Sequence, residues 1–191
     1  MNRIIPGTTL KFSEQARVSA FSVISPVLEA TGGLTLSQLS KLTGLEGTTI
    51  QNWIKRGWVS ATKSKKYSEK QVLRILLINM LRGAMKLDDI AGLMKYINGD
   101  VEDTSDDIID DILLYNILCR IIFTAEDEGA FDTDSVRNLI SRELMDYSKE
   151  IRSVDNKLNK AMFVMIMAYR SAYLKAEMEK TLTVILDEMQ S

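Results

Sequence analysis

The sequence predicts a mainly α fold in which a winged helix-turn-helix with a short wing precedes an all-α helical domain. Only Pro6 and Pro26 interrupt the 191 residues, so long helices are allowed. Apolar residues recur at helical spacing along much of the chain, and their 46% share suffices for a real core. We expect three parts: an N-terminal arm with a short helix over residues 1–33, the winged helix-turn-helix over 34–99, and the helical domain over 100–191.

The helix-turn-helix is predicted from a capping sequence, a glycine turn and two apolar faces. A T-x-x-Q capping box at Thr35 starts the first helix, and Gly44 ends it because glycine tolerates left-handed backbone geometry. The second helix runs over residues 48–56, with Trp53 facing inward. The polar, basic and extended character of residues 58–67 predicts a short wing.

Five further helices are expected. A second capping box at residues 68–71 starts one of them, and another covers residues 87–97. In the C-terminal part the apolar spacing predicts helices at about residues 106–124, 134–147 and 154–189. The last of these contains neither glycine nor proline, and at about 1.5 Å per residue it would span roughly 50 Å.

Charge is distributed unevenly along the chain. Residues 34–99 carry eleven basic and four acidic side chains, a net charge of +7, whereas residues 100–191 carry −10 and the whole chain −2. A compact basic helical unit is a common partner of a polyanion such as duplex DNA. The sequence therefore favours DNA as the partner of the first half.

Motifs from residue 36 to residue 90 carry a family resemblance. They are Leu36–Leu45, Thr49-Ile50, Trp53, Arg56-Gly57-Trp58, Tyr67-Ser68-Glu69 and Leu87–Ile90. Their order and spacing, over roughly a third of the chain, resemble the DNA-binding domain of the MerR family, and excisionase-like domains share the Trp53-x-x-Arg56-Gly57 pattern. The whole chain also resembles an uncharacterised bacterial family with a MerR-like front half. The resemblance implies a winged helix-turn-helix that binds DNA and regulates transcription.

Two departures from the MerR pattern change the expected contacts. Gln51 and Asn52 replace the usual Arg-Tyr pair of the second helix, and the wing is short. Their amides can read adenine, or they form only an exposed polar face. The wing lysines either contact phosphates or solubilise a loop. The residues that we expect to contact DNA are Thr48, Thr49, Gln51, Asn52, Lys55, Arg56, Lys63, Lys65, Lys66 and Tyr67.

The last predicted helix offers a dimer seam. An operator read by two half-sites calls for a two-fold dimer, so we expect a homodimer. The expected seam is Leu158, Met162, Met165, Tyr169, Ala172, Ala176, Leu182 and Ile185. Met162, Met165, Tyr169 and Tyr173 are alternatively a surface for a small-molecule effector, since methionine adapts to irregular shapes, or plain core.

Several classes of function are disfavoured. The chain has no histidine, and it shows neither a nucleophile–base pair nor a phosphate loop, so we expect no enzyme and no cofactor. The single Cys119 excludes an intrachain disulfide and fits a reducing cytoplasm. The acidic segment Asp100–Asp111 lacks a D-x-D-x-D-G loop, so we expect no metal there. It either stabilises a helix N-terminus or competes with DNA for the basic face.

Together these observations predict a cytoplasmic, sequence-specific regulator of transcription that binds double-stranded DNA as a homodimer. No secretory signal or bilayer-spanning run is expected. The alternative is a protein–protein interaction module that uses the same basic face on an acidic partner.

Overall fold

A computed structural model describes residues 3–62, 64–99, 107–149, 151 and 156–190 of the chain. Lys63, the acidic residues from Asp100 to Asp106 and the predicted helix start at Val154 lie outside the described residues. The described part is mainly α, as predicted. Its helices are α1 (Glu14–Val18), α2 (Ser25–Thr31), α3 (Leu36–Thr43), α4 (Gly47–Lys55), α5 (Glu69–Leu81), α6 (Leu87–Asn98), α7 (Asp111–Glu128), α8 (Thr133–Asp146) and α9 (Asn156–Gln190), with a 3-10 turn at Phe21–Val23.

Two short strands complete the architecture. β1 (Leu34–Thr35) pairs antiparallel with β2 (Lys66–Tyr67), and Leu34 lies opposite Tyr67. The pairing closes the loop that follows α4 and returns the chain to the start of α3. It therefore places residues 58–62 and 64–65 near the α3–α4 pair.

Both predicted capping boxes are present. The Thr35 hydroxyl accepts from the Gln38 amide at 3.3 Å, and the Gln38 side chain accepts from the Thr35 amide at 2.9 Å. The Ser68 amide donates to the Gln71 side chain at 2.9 Å at the start of α5. Such reciprocal bonds satisfy amides that have no partner within the helix, which is why the helices begin where the sequence predicts.

The core runs through all three predicted parts. Helix α5 is buried along nearly its whole length and packs against both α7 and α9, so the basic half and the helical half share one hydrophobic cluster. Helix α7 is similarly buried, from Leu114 to Ala125. The boundary predicted near residue 99 therefore separates segments of different charge, and the two segments pack on each other through their apolar helices.

The N-terminal arm is tied to the body by polar contacts, as expected for a segment that packs rather than acts alone. The Arg3 guanidinium donates to Glu126 at 2.6 Å and to Asp127 at 2.8 Å. The buried Tyr115 hydroxyl donates to the Pro6 carbonyl at 2.7 Å. The Thr9 amide donates to the Leu42 carbonyl at 2.8 Å, which satisfies the last turn of α3.

Helix α9 corrects the predicted dimer seam. Its first turns complete the core, because Leu158, Met162 and Met165 are fully buried against the chain's own helices. Tyr169 and Ala172 lie on the same inward face and are half-buried. Leu158, Met162 and Met165 therefore have no free surface to offer a second chain, and their place in the predicted seam is wrong. Leu182 and Ile185, by contrast, are exposed on the opposite side of the helix.

None of the helices within the described ranges combines the length and apolar content that a membrane span requires.

Candidate nucleic-acid interface

The candidate interface is built on two helices joined by a tight turn. Helix α3 ends at Gly44, whose φ of 71° places it in the left-handed region, and α4 begins three residues later at Gly47. Ile50 and Trp53 of α4 are buried at 0% and 2% exposure, so they fix the rotation of the helix against the core. The packing of Ile50 and Trp53 therefore determines which side of α4 points outward, and the polar residues themselves do not.

The outward face of α4 is polar and open. Thr48, Gln51, Asn52 and Lys55 are exposed, and Thr49 is half-buried. Within the described part of the chain, the side chains of these five residues have no hydrogen-bond or ion-pair partner. Side-chain donors and acceptors held on a rigid helix and left unpaired are available to an external ligand.

Arg56 follows α4 directly and is positioned by an aromatic ring. Its guanidinium carbon lies 5.2 Å from the centre of the Trp58 ring, a cation–π distance. The backbone turns at Gly57, with a φ of 75°, and the Trp58 amide donates back to the Trp53 carbonyl at 3.0 Å. This turn keeps the exposed Arg56 cation at the C-terminal end of α4.

The segment predicted as a wing ends in the two-residue strand β2, Lys66–Tyr67. Lys65 and Lys66 are exposed beside β2, and the Ser64 hydroxyl accepts from the Lys66 amide at 3.1 Å. The Lys66 ammonium donates to the Thr31 carbonyl at the end of α2, so part of its hydrogen-bonding capacity is used internally. Lys65 has no ion pair among the described residues and is the freer cation.

Tyr67 does not belong to the interface. Its side chain is only 6% exposed, because in β2 it alternates inward while Lys66 points outward. Burial also raises the pKa of its phenol. The prediction that Tyr67 contacts DNA is wrong, and its role is to anchor the strand pair to the core.

Arg74 also lies away from the basic surface. It is 7% exposed on α5, and its Nε donates to the Trp58 carbonyl at 3.4 Å. Burial lowers the pKa of the Arg74 guanidinium, and the charges of Asp111 and Asp107 oppose that shift. One of the eleven cations counted in residues 34–99 therefore neutralises the base of the acidic segment instead of facing solvent.

The part of the acidic segment that the structure describes, residues 107–111, stabilises the start of α7. Asp110 caps α7 by accepting from the Ile112 and Leu113 amides at 2.8 and 3.2 Å, as the helix-stabilising alternative predicts. Asn98 donates to the Ile109 carbonyl at 2.7 Å and to Asp111 at 3.1 Å. Burial raises the pKa of Asp111, against the opposing charge of Arg74. Among the described residues, no group of three or more potential ligands is placed to hold a metal.

The sequence reasoning missed this buried polar cluster. One signal for it was present, because Arg74 is the only charged residue in the otherwise apolar run from Val72 to Ile78. A charge inside such a run requires a partner, and the acidic segment supplies one.

The predicted effector residues divide into two groups. Met162 and Met165 are core residues, whereas Tyr169 and Tyr173 line a cavity of about 630 Å³. The cavity lies between the N-terminal arm, the end of α5 and α9. Its polar lining includes Arg3, Thr8, Asn79, Glu126, Glu177 and Lys180. Desolvation raises the pKa of the Tyr169 phenol, and the protonated phenol can donate a hydrogen bond.

The fold and these contacts define a mainly α protein that presents an exposed polar and basic helix face on a shared hydrophobic core. The chain belongs to the family described as "Domain of unknown function (DUF1836)", whose model matches residues 23–118. That match extends from the 3-10 turn into α7 and includes the whole α3–α4 pair.

A curated protein is similar to part of the chain. The chain is similar to the uncharacterized protein YkrK of Bacillus subtilis (strain 168), with 27% identity over 136 residues. This alignment covers 69% of the chain and 57% of that relative, so it spans little more than half of the relative's length. No solved structure is significantly similar to the chain.

Proposed function

We propose that this protein is a sequence-specific DNA-binding regulator of transcription whose winged helix-turn-helix comprises residues 34–99. The observation that carries the proposal is the outward face of α4, where exposed Gln51, Asn52 and Lys55 have no protein partner among the described residues. Buried Ile50 and Trp53 hold that face rigidly. A rigid helix with free amides and cations is the device that reads a major groove.

The proposed contacts with DNA are of two chemical kinds, contacts with base edges and contacts with phosphates. The Asn52 and Gln51 amides each offer a donor and an acceptor, the pattern that adenine N6 and N7 require. Lys55, Arg56 and the wing lysines offer point charges or a guanidinium fork for phosphates, which position the protein without reading sequence. In this arrangement α4 supplies specificity, and its flanks supply most of the salt-dependent affinity.

The protein acts in this proposal as a cytoplasmic homodimer and as a binding protein rather than an enzyme. A single reading helix spans few base pairs, and two-fold pairing doubles the site that is read. An effector would occupy the cavity beside Tyr169 and Tyr173, which joins the N-terminal arm to α9.

The rival function is a protein–protein interaction module that places the same basic face on an acidic partner. The free amides of Gln51 and Asn52 favour DNA, because an electrostatic docking face does not require them. Selection of duplexes from a random pool by the full chain separates the two. We expect enrichment of a motif that Asn52→Ala abolishes and that Lys95→Ala, which removes an exposed cation from α6, leaves intact. Failure to retain any duplex at low salt would overturn the proposal.

A further inference from the structure

The backbone that follows α4 is held by two buried side chains of α5. The Gln71 Nε2 donates to the Ser60 carbonyl at 2.8 Å, and the Arg74 Nε donates to the Trp58 carbonyl at 3.4 Å. Gln71 and Arg74 are only 5% and 7% exposed, and because they lie three residues apart they share one side of α5. Val59, between the two carbonyls, is buried in the core. This short segment is therefore positioned by side chains of α5.

Trp58 in turn positions Arg56. The exposed Arg56 guanidinium lies 5.2 Å from the centre of the Trp58 ring. The Trp58 amide donates to the Trp53 carbonyl of α4 at 3.0 Å, so the backbone of Trp58 is bonded to α4 on one side and to α5 on the other. A guanidinium that is already held over a fixed ring loses less side-chain entropy when it contacts a phosphate than one that moves freely.

The buried position of Arg74 depends on the acidic segment. A guanidinium inside a protein requires opposite charge nearby, and Arg74 interacts electrostatically with Asp111 and Asp107. Asn98, at the end of α6, donates to the Asp111 carboxylate at 3.1 Å and to the Ile109 carbonyl at 2.7 Å, which fixes the carboxylate in place. The described end of the acidic segment therefore supplies the charge that keeps Arg74 beside the Trp58 carbonyl.

We propose that Asp111 and Arg74 are positioning residues for DNA binding. They act through the Trp58 ring to hold the Arg56 guanidinium where it contacts a phosphate. This inference rests on the proposed function, and it gives the acidic segment an effect opposite to that of simple electrostatics. A carboxylate near a DNA-binding face ordinarily repels phosphates, so its removal raises affinity. Removal of the Asp111 charge instead releases Arg74 and with it the Trp58–Arg56 pair, so affinity falls.

The first test measures the sign of this effect. Asp111→Asn removes the charge and keeps the size of the side chain, and Asp134→Asn makes the same change at an exposed position of α8. Anisotropy titrations of the full chain on a selected duplex should show an affinity about two- to tenfold weaker per copy in Asp111→Asn, the cost of immobilising one long side chain on binding, with the salt slope unchanged. Asp134→Asn should leave affinity equal or slightly higher. A rise in affinity for Asp111→Asn, or the same change in both variants, would overturn the proposal.

A double-mutant cycle identifies the residue through which Asp111 acts. In Arg56→Ala no guanidinium remains to be held, so adding Asp111→Asn should have no further effect on affinity. Trp58→Leu removes the ring, and it should weaken binding by a similar factor in the parent and not at all in Arg56→Ala. Because Trp58 lies outside α7, this variant tests the same route without touching the start of that helix, and circular dichroism verifies the fold of each variant. Additive effects of either change on Arg56→Ala would refute the route through Arg56.

A measurement without DNA separates this inference from the proposed function. The side-chain protons of Arg56 lie over the Trp58 ring, so their NMR chemical shifts report the contact in the free protein. We expect these shifts to move toward those of an unstructured arginine in Asp111→Asn and to stay unchanged in Asp134→Asn. That result in a chain that retains no duplex would support the positioning and refute DNA binding. Specific binding of duplexes with Arg56 shifts that do not move in Asp111→Asn would refute the positioning alone.

Discussion

The salt dependence of DNA binding gives the most demanding test of the proposed interface. The perturbation is the removal of one phosphate-binding cation by Lys65→Ala, matched by Lys95→Ala, which removes an exposed cation from α6. Lys65 has no ion pair among the described residues, so its removal leaves no protein carboxylate unpaired. The change therefore reports on the external contact rather than on the fold.

The magnitude follows from the cations around α4 that the structure exposes. Lys55, Arg56, Lys65 and Lys66 are exposed in each copy. With four phosphate contacts, the slope of log affinity against log salt is about −3.6 for one copy and about −7 for a dimer. Between 50 and 200 mM salt, affinity would then fall roughly 150-fold for one copy and roughly 20,000-fold for a dimer.

The assay is fluorescence anisotropy on a duplex obtained by selection, titrated at five or more salt concentrations. Lys65→Ala should make the dimer slope shallower by about 1.8, because each copy loses one contact. Lys95→Ala should leave the slope within error of the parent. A parent slope near zero would refute the electrostatic interface, and equal changes from both variants would show that only net charge matters.

Three further predictions address single residues. Asn52→Ala should lower the preference for the selected duplex over others by about 1–3 kcal/mol while leaving the salt slope unchanged, as measured by competition binding. Trp53→Ala should lower the free energy of unfolding in urea by about 3–5 kcal/mol, because it empties a site that is 2% exposed. The pKa of Asp111 is raised in the folded state. Its ionisation therefore lowers the free energy of unfolding as the pH rises from the unfolded-state pKa of about 3.9 through the folded-state pKa. The free energy of unfolding of Asp111→Asn should therefore rise relative to that of the parent across this pH range. Urea titrations at several pH values in which the difference between the two free energies stays constant would contradict the prediction.

The bounds of α3 and α4 could be predicted because their signals are local. The capping box at Thr35, the left-handed Gly44 and the apolar spacing of Ile50 and Trp53 act within one or two turns of helix. Signals of this kind depend on neighbouring residues rather than on the rest of the fold. The predicted bounds of α3 and α4 therefore agree with the structure to within a residue or two.

Which apolar residues of α9 are buried could not be predicted from periodicity alone, because this helix has two apolar faces. Met162 and Leu182 both fit a helical repeat, yet one lies in the chain's own core and the other is exposed. Spacing shows that residues share a face, but only the packing of α5, α6, α7 and α8 against α9 shows which face the body covers.

A charge count cannot distinguish a cation on the surface from one that neutralises the interior. Arg74 contributes fully to the +7 of residues 34–99, yet in the fold it is buried on α5 and interacts electrostatically with Asp111 and Asp107. Because Arg74 is buried, it does not add to the exposed positive charge of this half of the chain. Among the described residues next to the outward face of α4, Lys55, Arg56, Lys65 and Lys66 are exposed cations, and Asp111 interacts electrostatically with Arg74 of α5. Because Asp110 caps α7 and Asp111 is held by Asn98, neutralising these two carboxylates perturbs the fold before it alters any competition with DNA.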